Sequence, residues 1–361
     1  MKKILALLLA LALVLSFAAC AAKTEEPAAE APAAEEPAAE EPAAEEPAAE
    51  EPAAEEPAAE EPAAEEPAEE ASGDHFVIGY AQRATDVAYT IAMMEDNQAY
   101  AAENYPEIEF LNTDAHNDAA TQASNIEDLI AAGVDLIMVS PLTEDGLTDA
   151  VQEAMDAGIP VVTMDREVLC DVTCKVVADN YEMGVMAADK LAEMMNYEGN
   201  VIEVCGTVGA SATLGRQGGF EDRMAEAYPN IKIIDSKDCD YNSANAATYM
   251  EDMLQKYGEG EIQAIYAHND VMAYGAIETL AAAGRDDEGI LVCGMDGEEA
   301  AFQMVKAGTM AFDIIYPTMA PEGIIAAYNI LTGKEQEAEV WCTPVLVSSE
   351  NVDEYIGTGL Q

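Results

Sequence analysis

Beyond residue 72 the chain repeats one hydrophobic pattern: a short aliphatic or β-branched run, a polar turn, and an alanine-rich amphipathic stretch. Within residues 119–132, for example, Ile126, Leu129 and Ile130 share one stripe at helical spacing, which predicts an amphipathic helix. The short runs lack alternating polar positions, which is typical of strands buried on both faces. They predict strands at 76–81, 108–111, 134–139, 160–164, 174–177, 201–204, 231–234, 264–266, 290–292 and 310–315.

The alternation of strands and helices indicates the fold class. A helix between two strands implies a right-handed crossover between parallel neighbours, so the pattern predicts an α/β chain with doubly wound parallel sheets. Residues 71–361 also exceed what one compact core usually holds. The sequence therefore predicts two doubly wound lobes.

Polar residues follow nearly every predicted strand at its carboxyl end. Ligands bind outside these ends in open parallel sheets, so two facing lobes would enclose one polar cleft. Each residue can also be interpreted as a helix N-cap or a turn former, and for Asp114 and Ser140 the two interpretations are equally good. The residues are Gln82, Asp114, Ser140, Asp165, Arg166, Asp179, Asn180, Gly206, Asp240, Asn269, Asp270, Asp296 and Tyr316.

The adjacent Asp165 and Arg166 are the strongest candidates for ligand contacts. A carboxylate beside a guanidinium offers acceptors and a rigid donor fork, which suits sugar hydroxyls because each hydroxyl both donates and accepts. Asn269 and Asp296 add similar groups. Arg216, near the start of a helical stretch, is a further candidate, with a surface arginine as the alternative.

The first twenty residues predict an export signal. Lys2 and Lys3 precede an apolar run over 4–14, which is too short to span a membrane comfortably, and small residues precede Cys20. This pattern predicts cleavage before Cys20 and lipidation of that cysteine, although Phe17 stands where leucine is commonest. The alternatives are an ordinary secretory signal and a retained membrane helix.

A five-residue repeat, close to Glu-Glu-Pro-Ala-Ala, follows between residues 23 and 70. Proline at every fifth position breaks helices and the glutamates repel one another, so we expect a disordered spacer. In a polyproline II conformation, at about 3.1 Å per residue, it reaches on the order of 150 Å from a membrane. A binding arm for cationic partners is the alternative.

Net charge restricts the partners. The chain carries −56, and the repeat, with 19 Glu and one Lys, accounts for only the smaller part. Nucleic acid and anionic lipid are therefore poor partners, so membrane attachment is expected through the lipid anchor only. Anionic ligands are also repelled unless a local basic site captures them, and a neutral or cationic ligand is expected.

No motif indicates catalysis or a cofactor. His75, His116 and His268 lie in no recognisable triad, and residues 206–211 do not form a nucleophile elbow. His268 beside Asn269 either touches the ligand or packs at a strand end. Cys170 and Cys174 are interpreted as free thiols, with a disulfide as the alternative, and no metal site is expected.

Five segments carry a family resemblance. They are SPLTEDGLTDAVQEAMDAGIPVVTMDREV (140–168), VADN (177–180), GTVGASATLGRQGGFE (206–221), IYAHNDVMAYGAI (265–277) and GMDGEEA (294–300). From residue 76 onward the chain resembles the type I periplasmic-binding-protein family of sugar-transport receptors, ribose-like in general and galactofuranose-binding-like in places. The resemblance implies a noncatalytic, monomeric protein that delivers a ligand to the permease and ATPase of an ABC transporter. A receptor for signalling or chemotaxis is the alternative.

The resemblance also implies boundaries and contacts. It places one lobe at 76–178 and 317–344 and the other at 179–316 and 345–361, after a signal peptide (1–19) and a tether (20–75), with crossovers near 178–180, 316–317 and 343–344. Ligand contacts are implied at Asp165, Arg166, Arg216, Asn269, Asp296 and Tyr316, with Gln82, Asp86 and Tyr89 as further candidates.

Several residues depart from the family pattern. Tyr89 is the aromatic residue after the first strand, but Cys239 and Met295 stand where rings are frequent, and Thr90 replaces an arginine of the galactofuranose type. We therefore expect a thin stacking surface, with compensating hydrogen bonds from Asp86 and Arg83. The expected ligand is a small neutral sugar or polyol whose identity the sequence does not specify.

Overall fold

The computed structural model describes residues 75–361. The predicted signal, Cys20 and the acidic repeat lie outside the described residues. Within residues 75–361, no helix has both the length and the apolar character needed to cross a membrane.

Strands and helices alternate through most of this range. The strands are β1 (Phe76–Gln82), β2 (Ile108–Asp114), β3 (Leu136–Val139), β4 (Val161–Met164), β5 (Cys174–Ala178), β6 (Gly199–Cys205), β7 (Ile231–Asp238), β8 (Ala264–Ala267), β9 (Leu291–Asp296), β10 (Phe312–Ile315), β11 (Glu339–Cys342) and β12 (Val345–Ser348). The helices are α1 (Ala88–Asn104), α2 (Ala119–Ala132), α3 (Glu144–Asp156), α4 (Asn180–Met194), α5 (Ser211–Ala227), α6 (Ser243–Lys256), α7 (Asp270–Ala282), α8 (Glu299–Ala307) and α9 (Glu322–Leu331), followed by a 3₁₀ turn at Val352–Glu354.

The strands form two six-stranded sheets. The first has the order β11-β5-β4-β3-β1-β2, and the pairs within it are parallel. The second has the order β12-β10-β9-β8-β6-β7, and only β12 runs antiparallel to its neighbour. This arrangement confirms the predicted α/β fold with two parallel-sheet lobes.

Two edge strands, β11 and β12, were not predicted. β11 is largely exposed, with Trp341 at 57% exposure, and it pairs with β5 across a long stretch of sequence. Such pairing leaves no local hydrophobic signal because an edge strand need not be buried on both faces. Both strands lie next to the point where the chain last passes between the sheets.

The core follows the pattern read from the sequence. Every residue of β3, β4 and β8 is buried, which explains why these strands lack alternating polarity. The predicted helix at 119–132 is α2; Asp118 caps it by accepting from the Thr121 amide, and Gly133 ends it in a left-handed conformation with φ of 71°. The six cysteines of the described range are free thiols, including Cys170 and Cys174.

Within residues 75–361 the chain passes between the two sheets three times. These passages follow β5, follow β10, and join β11 to β12. Residues at or just after the carboxyl ends of β1 and β4 in the first sheet, and of β8, β9 and β10 in the second, line one cavity. The candidate site lies there.

Candidate functional site

A cavity between the strand ends of the two lobes has about 320 Å³ of empty space, including the part open to solvent. The residues that line it are Arg83, Val87, Tyr89, Asp165, Arg166, Ala212, Arg216, Tyr241, Asn269, Asp296 and Tyr316.

Asp165 links the two lobes at the base of the cavity. It follows β4 in a left-handed conformation, with φ of 67°, and is only 3% exposed. Ser140 Oγ donates to Oδ2 at 2.8 Å, and the Tyr316 hydroxyl donates to Oδ1 at 2.9 Å. The carboxylate is therefore fixed by the end of β3 and by the residue that follows β10.

The guanidinium of Arg166 is held by its first lobe and packs against the second. One of its nitrogens, Nη1, donates to the Leu142 carbonyl at 2.7 Å. The guanidinium carbon lies 5.2 Å from the centre of the Tyr241 ring, within the range of a cation–π contact.

Arg216 enters the cavity from the second turn of α5 and is 2% exposed, so it is not a surface arginine. Its Nε donates to Asn180 Oδ1 at 2.9 Å, Nη1 donates to the His268 carbonyl, and its guanidinium lies 4.5 Å from the Tyr316 ring centre. A Cβ added at Gly184 would lie 2.3 Å from the Arg216 carbonyl oxygen. The close approach of α4 and α5 therefore sets the position of this arginine.

Asn269 and Asp296 complete the polar lining from the second lobe. Asn269 caps α7 by accepting from the Met272 amide at 3.1 Å through Oδ1, which leaves its amide N–H groups for a ligand. Asp296 ends β9 with φ of 142°. Burial raises the pKa of its carboxyl well above the ordinary value, although nearby Arg216 acts in the opposite direction.

Three tyrosine rings cover the cavity, which gives more aromatic surface than the sequence analysis anticipated. Tyr89 donates to the Pro317 carbonyl at 3.0 Å, and its ring centre lies 5.1 Å from that of Tyr316. Tyr241 was missed; it lies two residues beyond Cys239, where a ring was expected, and its hydroxyl accepts from Thr213 Oγ1 at 2.9 Å. Considering every aromatic residue within two positions of Cys239 would have identified Tyr241 from the sequence.

Of the nine residues named as implied or further ligand contacts, Gln82 and Asp86 lie outside the lining of this cavity. Gln82 is buried, and its Nε2 donates to the Thr90 carbonyl at the start of α1. Asp86 is exposed and lines a larger outer cavity of about 700 Å³, which shares Arg83, Val87 and Tyr241 with the inner one. Asp86 therefore lies at the entrance.

Asp114 and His268 have local roles. Asp114 accepts from the His116 amide at 2.8 Å in the turn after β2. His268 lies behind the cavity, with Nε2 at 3.1 Å from Glu203 Oε1, and burial lowers its pKa to about 3, so the ring is neutral. Its carbonyl, rather than its ring, supports the site through Arg216.

Glu203, Cys205 and His268 bring possible metal-binding atoms within 4.8 Å of one another. These atoms are already engaged: the Gly206 amide donates to His268 Nδ1 at 3.4 Å, and Ser236 Oγ donates to Glu203 Oε2 at 3.1 Å. Burial also raises the pKa of the Cys205 thiol, which disfavours the thiolate that binds metals. We interpret the cluster as packing behind Arg216.

Known proteins share this architecture. The ribose import binding protein of Bacillus subtilis (strain 168) is 35% identical over 233 residues, which cover 63% of this chain and 73% of that protein. The galactofuranose-binding protein of Escherichia coli (strain K12) is 32% identical over 253 residues, 67% of this chain and 78% of the other. A solved fructose binding periplasmic domain of a hybrid two component system superposes with a TM-score of 0.74 at 30% identity, covering 78% of this chain and 93% of that one.

The family model described as a periplasmic binding protein domain matches residues 78–335. This range takes in all the residues that line the cavity and most of both sheets. The segments that carried the resemblance lie within the same range. The chain therefore belongs to the periplasmic-binding-protein family.

Proposed function

We propose that this chain is the solute receptor of an ABC importer, which captures a small sugar or polyol between its lobes and delivers it to the permease and ATPase. The observation that carries the proposal is the convergence of Asp165, Arg166, Arg216, Asn269 and Asp296 on one cavity. The names of the relatives, a ribose import binding protein and a galactofuranose-binding protein, support the same class of ligand.

The lining matches the chemistry of a polyol. Carboxylate oxygens accept from hydroxyls, while guanidinium and amide groups donate to them, so each hydroxyl can use both of its capacities. The tyrosine rings offer apolar surface to the C–H faces of the ligand. Binding and release need no covalent step, and the named relatives are binding proteins, which supports a role other than catalysis.

The site requires both lobes, and this suggests how the ligand is captured. Arg83, Asp165 and Arg166 come from the first lobe, whereas Arg216, Asn269 and Asp296 come from the second. A ligand obtains its full set of hydrogen bonds only when both lobes contact it, so binding should favour the closed arrangement. We expect the radius of gyration in solution to fall when a saturating ligand is added, and an unchanged radius would contradict capture by closure.

A ligand screen tests the proposal most directly. The full chain should show a raised melting temperature with at least one compound of a panel of monosaccharides, polyols and nucleosides, and calorimetry should then give one site per chain. Failure of every sugar and polyol to bind folded protein would refute the proposal. Uptake of the labelled ligand in cells that lack this chain then tests delivery to the permease.

Attachment to the membrane through Cys20 is part of the proposal. We expect Cys20→Ala to release the protein from membranes while its ligand affinity stays the same, because a lipid on this residue would be the hydrophobic anchor. Retention of the variant in the membrane pellet after a carbonate wash would contradict the lipid anchor.

A signalling receptor is the second candidate. It is favoured by one observation, the structural similarity to a fructose binding periplasmic domain of a hybrid two component system. The two functions are distinguished by deleting this chain from cells: loss of ligand uptake supports import, whereas intact uptake with a lost transcriptional or chemotactic response supports signalling.

A further inference from the structure

The residues that line the cavity include more guanidinium groups than carboxyl groups. Three guanidiniums, those of Arg83, Arg166 and Arg216, face the two carboxyl groups of Asp165 and Asp296. None of these five residues is more than 6% exposed, so solvent does little to compensate for the difference. An unpaired buried charge is strongly unfavourable. The lining therefore has one guanidinium more than it has carboxyl groups, and an anionic ligand can pair with it.

The excess lies beside Asp165. Arg166 Nε is 3.6 Å and Arg83 Nη2 is 3.8 Å from the same carboxylate oxygen, Oδ2, which already accepts from Ser140 Oγ at 2.8 Å. Both arginine distances exceed those of hydrogen bonds. The Nε atoms of Arg83 and Arg166 are buried without a hydrogen-bond partner in the described part of the chain. Two adjacent guanidiniums thus keep unused donors.

The protonation equilibria are consistent with an uncompensated positive charge. Burial and neighbouring Arg166 together lower the pKa of Arg83 to about 10, although Asp165 acts in the opposite direction, so Arg83 stays charged at neutral pH. Burial raises the pKa of the Asp296 carboxyl, which reduces the negative charge available in the cavity. An anion in the cavity would raise the pKa of Arg83.

Two helix N-termini reinforce this charge. The helices α1 and α5 begin beside the cavity, which Val87 and Ala212 help to line. Neither helix has a side-chain cap, and neither has an acidic residue in its first turn. Uncapped helix N-termini favour anions because their amide N–H groups and the helix dipole point toward the site.

We propose that the ligand is a small polyhydroxy carboxylate, whose carboxylate binds between Arg83 and Arg166 while Asn269 and Asp296 bind hydroxyls. The inference rests on the proposed function and names its substrate class, replacing the neutral ligand expected from the net charge. A planar carboxylate matches the donor fork of a guanidinium. A basic cavity of this kind is the local site that lets a chain of charge −56 capture an anion.

Matched ligands test this assignment. Calorimetry on the full chain should compare ribose with ribonate and ribose 5-phosphate, and galactose with galacturonate and galactose 6-phosphate. We expect at least one carboxylate to bind about tenfold or more tightly than its neutral partner, which is the effect of one charge-assisted contact. The ratio of carboxylate to neutral affinity should decrease as salt is added.

A variant pair identifies the residue responsible. Arg83→Gln should reduce affinity for the preferred carboxylate by about tenfold or more and lower the ratio of acid to neutral affinity. Arg223→Gln is the matched control. This substitution makes the same change in net charge, but Arg223 pairs with Asp189 outside the cavity. The Arg223→Gln variant should keep the wild-type ratio of acid to neutral affinity. If Arg83→Gln does not fold, the wild-type comparison still decides.

The outcomes separate the two proposals. Equal or tighter binding of the neutral partner in every set overturns the carboxylate assignment but leaves the proposed function in place. Tighter binding of the phosphate in every set also overturns it, in favour of a phosphorylated sugar. Failure of all the sugars, acids and polyols to bind folded protein overturns the proposed function itself.

Discussion

The cavity and the interior of the second lobe both bury carboxyl groups, but they stabilise them differently. In the cavity, Asp165 accepts hydrogen bonds from Ser140 and Tyr316 and lies within 4 Å of two guanidiniums. Asp270 and Asp313, beneath the loop that carries Asp296, are fully buried and electrostatically coupled to each other, with no arginine among the groups that shift their pKa values. Burial raises the pKa of Asp313 to about 7 and that of Asp270 well above its usual range.

The difference shows what each group does. Asp270 Oδ2 accepts from the amides of Gly297 at 3.2 Å and Glu298 at 2.9 Å, so it fixes the backbone that follows Asp296. The interior pair therefore supports the backbone, and its raised pKa values favour the protonated carboxyl. The cavity instead places the Asp165 carboxylate beside two guanidiniums and leaves the Nε donors of Arg83 and Arg166 unused, which is the arrangement expected of a ligand site.

The largest expected effect concerns the pH dependence of the interior pair. Burial raises the pKa of Asp313 in the folded state to about 7, against about 4 in the unfolded chain. The contribution of this group to the free energy of unfolding is therefore fully present below about pH 4 and is lost as the pH rises to about 7. The loss is on the order of a few kcal/mol, since each pKa unit corresponds to about 1.4 kcal/mol. Asp313→Asn should remove much of this loss in urea unfolding measured between pH 4 and pH 8. The exposed Asp128→Asn is the control, and an unchanged slope in Asp313→Asn would show that the pair is not the cause.

Removing the side chain of either Asp165 or Arg166 should weaken ligand binding. Asp165→Ala and Arg166→Ala each remove charge-assisted hydrogen bonds worth roughly 1.5–3 kcal/mol and leave neighbouring groups unpaired. Ligand affinity should fall by about tenfold or more in calorimetry. Asp114→Ala is the matched control because this carboxylate serves a turn. Unaltered affinity in both cavity variants would refute a ligand site here.

Helix packing behind the cavity should be sensitive to a single methyl group. Gly184→Ala places a Cβ 2.3 Å from the Arg216 carbonyl oxygen and 2.7 Å from the Phe220 amide nitrogen, so α4 and α5 must separate. We expect a loss of about 1–3 kcal/mol in unfolding free energy, together with weaker ligand binding. Gly218→Ala, where the nearest atoms lie 3.8 Å away, is the control. Lowered stability with full affinity would mean that Arg216 does not depend on this packing.

The smallest expected effect concerns the ring that lies between two guanidiniums. Tyr241→Ala removes cation–π contacts with Arg166 and Arg216, each worth about 0.5–1 kcal/mol, and should lower ligand affinity about threefold to tenfold. Tyr241→Phe keeps the ring and loses only the hydrogen bond from Thr213. Equal losses of affinity in the two variants would assign the effect to the hydroxyl.

Much of the fold was predictable because its signals are local. Buried strands such as Leu136–Val139 lack polar alternation, and the helix Ala119–Ala132 carries its stripe, its Asp118 cap and its Gly133 stop in consecutive residues. The edge strands Glu339–Cys342 and Val345–Ser348 lack such signals, since partners distant in sequence decide their pairing.

The sequence by itself determined the fold class, the two lobes and the family, because hydrophobic periodicity and contiguous motifs are properties of neighbouring residues. It also supplied most of the residues that the cavity brings together, since polar groups at strand ends must meet where parallel sheets face each other. Only the tertiary structure decided that the Gln82 side chain bonds to α1 outside the cavity lining and that Asp86 lies at the cavity entrance. It also decided that the Tyr241 ring lines the cavity. The charge of the cavity was likewise decided in three dimensions, because Arg83, Arg166 and Arg216 converge from distant segments inside a chain whose overall charge is strongly negative.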